Sequence, residues 1–331
     1  MASCDARVTI AKRQSDGRNI ASEIYAEYPL RLHICNQNET TKSTNDDDVN
    51  DRALSLYVLS HGGGMLHGDS ISMKIHVKAG AALCVTSFST SKAFKPKLTY
   101  KSRPAVNGSE QQQQDGMTST RTECRVGCDA LLALCPQPTQ CFKDSRLSQE
   151  NRVRLEADGS SSLFLVDWYT GGRVNLDCGL WQMDLLRTST NIYISENGED
   201  VNVFRDVANL SGGSELNRHM RGFNVVAMVL LVGSRVKRFA DDLLEEYCSR
   251  SEYDNGQRKG SFTGEGMNTE GLLVSCGKIN LSGAGAGTML RLCARTVEQA
   301  GKLHFCSIDH NLVFAHLERL SKSFVYVTQD W

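Results

Sequence analysis

The chain has 331 residues, of which 40% are hydrophobic and 23% are charged, as in ordinary globular proteins. Its 37 lysines and arginines are balanced by 38 aspartates and glutamates, so it lacks the basic excess that binding to nucleic acid or to an anionic membrane requires. No apolar run is long enough for a membrane-spanning helix, no signal region follows the first Met, and twelve cysteines are scattered along the chain. We therefore expect a cytoplasmic protein in a reducing compartment, with neither nucleic acid nor a membrane as partner.

Short strands dominate the predicted elements. Residues 71–78 alternate between apolar and polar side chains, which places Ile71, Met73, Ile75 and Val77 on one face of a half-buried strand. Similar runs lie at residues 54–59, 83–88, 163–168, 191–194, 201–204, 224–232, 272–279 and 289–294, with Gly, Ser or Asn clusters between most of them. Because no regular helices separate these runs, the pattern favours a mainly β fold over an α/β fold.

Helical patterns lie mainly towards the C-terminus. An apolar stripe on an acidic helix is formed by Phe239, Leu243, Leu244 and Tyr247. Residues 296–299 (Thr-Val-Glu-Gln) have the form of a capping box, and residues 313–320 carry a further apolar stripe. We expect one domain over residues 1–331 with about two α-helices in its C-terminal half. Polar composition predicts mobile insertions near residues 36–51, 103–123 and 249–270.

Residues 60–70 form the sharpest local motif. His61 and the glycines at 62–64 match the oxyanion loop of lipases and esterases, although that chemistry needs a nucleophile on a G-x-S-x-G turn, which the chain lacks. The same string holds His61, His67 and Asp69, residue types that bind borderline metals such as nickel or zinc. A plainer alternative is a glycine-rich turn between two strands, in which Asp69 accepts amide hydrogen bonds.

Four cysteines allow a third interpretation, a structural zinc site. Cys124, Cys128, Cys135 and Cys141 are separated by three, six and five residues, which departs from the two close pairs of known zinc motifs. The alternative is a set of buried thiols.

Two further segments each allow two interpretations. Residues 283–288 (Gly-Ala-Gly-Ala-Gly-Thr) approach a dinucleotide-binding motif, but the segment that follows alternates like a strand, which favours a hairpin. Residues 163–173 form an apolar strand that ends in Trp168, Tyr169, a glycine turn and Arg173. Aromatic residues and arginine are enriched in protein interfaces, whereas the alternative places Trp168 in the core and Arg173 in solvent.

Taken together, these strings resemble the urease accessory protein family called UreD, or UreH in some organisms. Residues 63–69 (Gly-Gly-Met-Leu-His-Gly-Asp) are similar to the family's early glycine turn, and the strand after it leads to residues 81–86, Ser89-Thr90 and Lys92. The resemblance continues in residues 167–173, Trp181, Arg205-Asp206, residues 222–224 and the strand at 289–292. It spans roughly residues 20–320; departures include the extra Gly62, one residue inserted near Ser91 and the insertion at 103–123.

The resemblance implies a mainly β, helix-like stack of strands that acts as a scaffold and catalyses nothing itself. It implies as partners apo-urease, a UreF-type protein and, through that protein, a UreG-type GTPase, with nickel in transit and no permanently bound cofactor. Weak polar ligands suit such a passage, which makes Asp69, His67 and His61 the candidate nickel contacts. The residues assigned to partner binding or to the family motifs are Gly63, Gly64, Gly68, Thr86, Lys92, Asp167, Trp168, Thr170, Gly171 and Arg173.

Overall fold

The computed structural model describes residues 3–35, 53–96, 117–173, 179–196, 199–254 and 272–305. These residues form two mixed β-sheets that pack face to face, with helices on the outer side of the second sheet. The expectation of a mainly β protein is confirmed.

The first sheet has seven strands. Its five central strands run parallel to one another, and one antiparallel strand closes each edge. In spatial order the strands are β14 (Glu199–Ser211), β13 (Leu185–Glu196), β11 (Arg146–Glu156), β8 (Thr118–Val126), β5 (Ser70–Val77), β1 (Ser3–Lys12) and β2 (Asn19–Ala26).

The second sheet has ten strands. Its main path is β16 (Leu272–Leu281), β17 (Gly285–Ala294), β15 (Val225–Val232), β12 (Ser162–Thr170), β9 (Leu131–Leu134), β6 (Ala82–Ser87), β4 (Leu54–Ser60) and β3 (Leu30–Cys35). Two short strands, β7 (Ser91–Ala93) and β10 (Thr139–Cys141), extend from β12 at one end.

The chain alternates between the two sheets. From β4 to β13 the longer strands lie in the second and first sheet in turn, and each strand pairs in parallel with the one two steps earlier in that order. The polypeptide therefore winds in successive coils, because a chain that returns to each sheet in the same direction makes parallel pairs.

Two apolar layers result from this arrangement. Residues such as Ile75 and Val153 of the first sheet meet Leu83 and Leu165 of the second in the core between the sheets. The opposite face of the second sheet is covered by helix α2 (Lys237–Asp254), through contacts such as that of Phe239 with Phe164. Coverage on both faces explains why every residue of β12 is buried and why its burial does not alternate.

Of the other described helices, one packs on the same outer side and one packs against an apolar cluster between the sheets. Helix α3 (Val297–Phe305) begins with the predicted capping box. The backbone N–H of Gln299 donates to Thr296 Oγ1, and the backbone N–H of Thr296 donates to the side-chain Oε1 of Gln299, each over 3.2 Å. Helix α1 (Ser214–Met220) was not predicted, because seven residues with two apolar positions are too few to show a helical period. A 3₁₀ turn (Ser234–Val236) precedes α2. The predicted helix at 313–320 lies outside the described residues.

Most of the predicted strands are confirmed, as is the hairpin at residues 283–288, which joins β16 to β17. The predicted insertions at 103–123 and 249–270 overlap regular secondary structure. Residues 118–123 belong to β8, since their threonines are good strand formers that also suit a partly buried face. Residues 249–254 complete helix α2. Residues 103–116 and 255–270 of those insertions, and the insertion at 36–51, lie outside the described residues.

Within the described ranges, no helix has both the length and the apolar content that crossing a bilayer requires.

Candidate functional site: a polar seam between the sheets

The inner face of the first sheet carries two neighbouring rows of polar residues. Strand register places Gln149 beside Thr120 and Thr188, and Asn151 beside Thr122 and Thr190, on strands β8, β11 and β13. Apolar rows lie on both sides of them, and these belong to two separate core clusters. The polar rows therefore divide the interior into two apolar parts.

The facing row of the second sheet contributes charged groups. Asp167 of β12 points towards the first sheet, and register places it beside Met228, which in turn lies beside Arg291. Arg291 forms an ion pair with Asp206 of β14, which lies opposite Thr190. We call this region the polar seam; it comprises Thr120, Thr122, Gln149, Asn151, Asp167, Thr188, Thr190, Asp206 and Arg291.

Asp167 lies at the centre of the polar seam and is held from the first sheet. Gln149 Nε2 donates to Asp167 Oδ1 over 2.7 Å, and Thr190 Oγ1 donates to Oδ2 over 3.2 Å. Thr139 Oγ1 donates to Gln149 Oε1 over 3.1 Å and so orients the glutamine amide. Among the described residues, both hydrogen-bond partners of this carboxylate are neutral.

The surroundings of Asp167 disfavour its negative charge. The residue is only 6% exposed, and burial is the main cause that raises the pKa of its carboxyl from 3.8 to about 6. The negative charge of Asp206 acts in the same direction, whereas the hydrogen bonds from Thr190 and Gln149 act against it. A buried carboxyl that titrates close to neutral pH is typical of functional sites, because a core residue would be more stable without the charge.

The polar seam reaches the surface region at both ends. At one end Thr120 and Thr122 also line a cleft of about 120 Å³, together with Ser87, Lys92 and the glycine loop at 63–64. At the other end lies the ion pair of Asp206 and Arg291. Three strand spacings separate β8 from β14, so this row spans roughly 14 Å.

The glycine-rich motif is a turn between β4 and β5. Asp69 Oδ2 accepts a hydrogen bond from the Leu66 amide over 2.9 Å, and Thr118 Oγ1 accepts one from Gly68 over 3.2 Å. Gly64 has a φ of 154°, and a Cβ there would lie 2.7 Å from the Lys92 carbonyl oxygen. Close approach to β7 thus accounts for this glycine without an oxyanion loop.

The three predicted nickel contacts point in different directions. His61 is exposed and stacks on Tyr28, with ring centroids 5.9 Å apart. His67 lines a separate polar cavity with Asp144 and Asp184, and its buried Nδ1 has no hydrogen-bond partner in the described part of the chain. The Asp69 carboxylate closes the turn described above. A role of these residues in nickel transfer stays a prediction.

Residues 167–173 occupy several different environments. Trp168 is buried on the helix side of the second sheet and donates from Nε1 to the Pro136 carbonyl over 2.7 Å. Thr170 is also buried, and a Cβ at Gly171 would meet the Trp181 ring at 2.7 Å. Arg173 is exposed, with its guanidinium 4.0 Å from the centre of the Phe142 ring. In this conformation only the end of the segment faces solvent.

The two remaining family-motif residues lie on the second sheet. Thr86 of β6 is buried, and Lys92 of β7 accepts a hydrogen bond at its carbonyl from the Met65 amide over 2.7 Å. Lys92 also borders the cleft at the end of the polar seam, so it is the member of this pair that lies near the candidate site.

The zinc interpretation of the four cysteines is wrong. Cys124, Cys135 and Cys141 are buried in three different core clusters, and Cys128 is exposed. They are kept apart because β8, β9 and β10 belong to two sheets and point their side chains to different faces. Burial raises the pKa of Cys124 and Cys141 to about 12, which keeps both thiols protonated.

The chemistry of the polar seam is that of weak oxygen ligands. In the described ranges, no three His, Cys, Asp or Glu side chains gather closely enough to enclose a metal ion. Hydroxyl and amide oxygens beside one buried carboxylate can hold a divalent cation briefly, but they do not form a closed site.

Most residues of the polar seam were missed from the sequence. Gln149 and Asn151, or Thr188 and Thr190, read as ordinary surface positions when a strand carries polar residues on both faces. A weaker signal was available. These strands carry polar side chains on both faces, whereas the predicted strands carry apolar side chains on at least one face.

Comparisons with known proteins identify relatives of this chain. Residues 4–310 match the family described as UreD urease accessory protein. The chain is 28% identical to Urease accessory protein D of Arabidopsis thaliana over 69% of its length and 68% of the relative's. It is 30% identical to Urease accessory protein D of Oryza sativa subsp. indica over 70% of its length and 66% of the relative's. Urease accessory protein UreD of Anaeromyxobacter sp. is 32% identical over 62% of each chain.

These matches therefore span about two thirds, or slightly less, of the relatives' own length. Because the family match covers nearly the whole chain, it includes both sheets and every residue of the polar seam. The chain belongs to the UreD family of urease accessory proteins.

Proposed function

We propose that this protein is a non-catalytic scaffold in urease maturation and that nickel reaches apo-urease through its polar seam. In this proposal the chain binds apo-urease and a UreF-type partner, which in turn holds a UreG-type GTPase. Nickel is the cargo and is not retained.

The observation that carries the proposal is the position of Asp167. An ionisable carboxylate with neutral hydrogen-bond partners lies between two apolar core clusters, where burial works against its charge. A divalent cation beside it would offset that cost, because an opposite charge in a low-dielectric interior stabilises the ionised form.

The neighbours of Asp167 suit an ion that must leave again. Gln149, Asn151 and Thr190 offer neutral oxygens that replace part of a hydration shell, and the chain of hydrogen bonds among them can rearrange. Nickel binds most tightly to nitrogen and sulfur ligands, so oxygen ligands favour rapid release.

Protein partners are supported by the surface near the cleft. Phe88 lies between the lining residues Ser87 and Ser89, and Tyr28 lies two residues before the lining residue Leu30. Phe88 is 75% exposed and Tyr28 is 79% exposed. Large exposed aromatic side chains beside a cleft are typical of protein interfaces. A partner docked there would shield an ion that enters the polar seam from solvent.

The test is co-expression with the UreF-type and UreG-type partners and apo-urease from the same source, followed by size-exclusion chromatography, nickel analysis and a urease assay. We expect Asp167→Asn to co-elute with the partners but to leave urease largely inactive and poor in nickel. The matched control is Asp158→Asn, at an exposed turn between β11 and β12, which should activate urease normally. Full urease activity with Asp167→Asn would show that delivery of nickel to urease does not depend on Asp167 or the polar seam.

A further inference from the structure

The end of the polar seam near β14 is spanned by an ion pair between Asp206 and Arg291. Asp206 lies on the inner face of β14, opposite Thr190, and Arg291 comes from β17 of the other sheet. Their contact therefore joins the two sheets across the gap at this edge.

Asp206 and Asp167 belong to one electrostatic unit. Thr190 donates its hydroxyl to Asp167 and lies beside Asp206 in the strand pairing. The negative charge of Asp206 raises the pKa of the Asp167 carboxyl. Two carboxylates thus share this part of the polar seam with the guanidinium of Arg291.

On the basis of the proposed nickel passage, we propose that Arg291 is a positioning residue. Its guanidinium stays paired with the Asp206 carboxylate until a divalent cation arriving from Asp167 displaces it. Arginine suits this role because its guanidinium remains charged at every physiological pH and binds carboxylates well. A metal ion between Asp167 and Asp206 would then compete with the Arg291 guanidinium for Asp206. This competition weakens binding of the metal ion and promotes its release.

The plain alternative is an ion pair that only ties the two sheets together. The side chains of Arg291 and Asp206 are 54% and 26% exposed, and such partly exposed pairs add little to stability. Loss of Arg291 should therefore leave the fold intact under either interpretation. The two interpretations differ in what they predict for metal affinity.

The experiment measures binding of Ni²⁺ alone to the full chain by equilibrium dialysis, with circular dichroism to verify folding. We expect Arg291→Gln to tighten Ni²⁺ binding by about tenfold or more, because a positive charge next to the ion is removed. Arg291→Lys should keep the wild-type affinity, and Asp206→Asn added to Arg291→Gln should reverse most of the gain. The matched control is Arg205→Gln, which removes a neighbouring exposed arginine from β14.

Several outcomes would overturn the inference. It fails if folded Arg291→Gln binds Ni²⁺ no more tightly than the wild type, or shows no measurable binding. It also fails if Arg205→Gln tightens binding equally, since the effect would then be one of general charge. If Asp167→Asn abolishes urease activation while Arg291→Gln leaves affinity unchanged, only the role of Arg291 is refuted; normal activation with Asp167→Asn refutes the nickel passage itself.

Discussion

Replacement of Asp167 by asparagine should make the protein more stable at neutral pH while it impairs urease maturation. The side chain keeps its shape, and the carbonyl oxygen of the amide can still accept from Gln149 Nε2. The change removes a negative charge from a site where burial opposes it. Stability and function should therefore respond in opposite directions.

The expected magnitude follows from the pKa of the carboxyl, 3.8 normally and about 6 in the folded protein. A raised pKa favours folding below pH 3.8, and this contribution is lost as pH rises through about 6. This difference in pKa lowers the free energy of unfolding of the wild type by roughly 3 kcal/mol at pH 7 and above, relative to low pH. Thr190 must change from donor to acceptor in the variant, at a cost of about 1 kcal/mol, which leaves a net gain of about 2 kcal/mol.

The assay is urea unfolding of both proteins between pH 4.5 and 8, followed by tryptophan fluorescence, because Trp168 and Trp181 are buried. The two proteins should be about equally stable near pH 4.5, and the advantage of Asp167→Asn should grow until about pH 7 and then level off. Asp158→Asn should show no such gain, since hydrogen bonds from Ser160 lower the pKa of Asp158. A pH-independent difference, or a variant less stable than the wild type at pH 7.5, would refute the reasoning.

Three further predictions test the fold and the correction of the zinc interpretation. Thr296→Ala should lower the free energy of unfolding by about 1 kcal/mol through loss of the α3 cap, whereas Thr296→Ser should not; equal effects would exclude the cap. Gly171→Ala should destabilise the protein by about 1–3 kcal/mol in urea unfolding, because its Cβ would meet the Trp181 ring; an unchanged midpoint would contradict this packing. A thiol reagent should label exposed Cys128 rapidly and buried Cys124 only after denaturation, as read by mass spectrometry; equal rates would contradict their different burial.

Much of the secondary structure could be predicted from local patterns. Alternation in β5 and the continuous apolar run of β15 identify strands because side-chain burial repeats every two residues or involves both faces. The capping box at Thr296 is equally local, since its hydrogen bonds join residues three apart. Strands such as β8 and β11 were missed, because their polar residues point inward as well as outward.

The candidate site could be predicted only in part. Asp167 was identified as a motif residue, and Gly64 as part of a turn, because both belong to short strings with recognisable spacing. The link between Asp167 and Gln149, or between Arg291 and Asp206, joins residues 18 and 85 positions apart. Nothing in the local pattern of either segment selects its partner.

The sequence by itself determined the mainly β class, the main strands and helices, and the resemblance to the UreD family, since each depends on short-range periodicity or motif order. Only the tertiary structure decided which polar residues share one interior row, because that row is set by strand register between segments far apart in the chain. The same register separated the four cysteines that lie close in sequence and brought Asp206 to Arg291. Because side-chain direction alternates along every strand, residues close in sequence can face different clusters, and residues far apart in sequence can share one interior row.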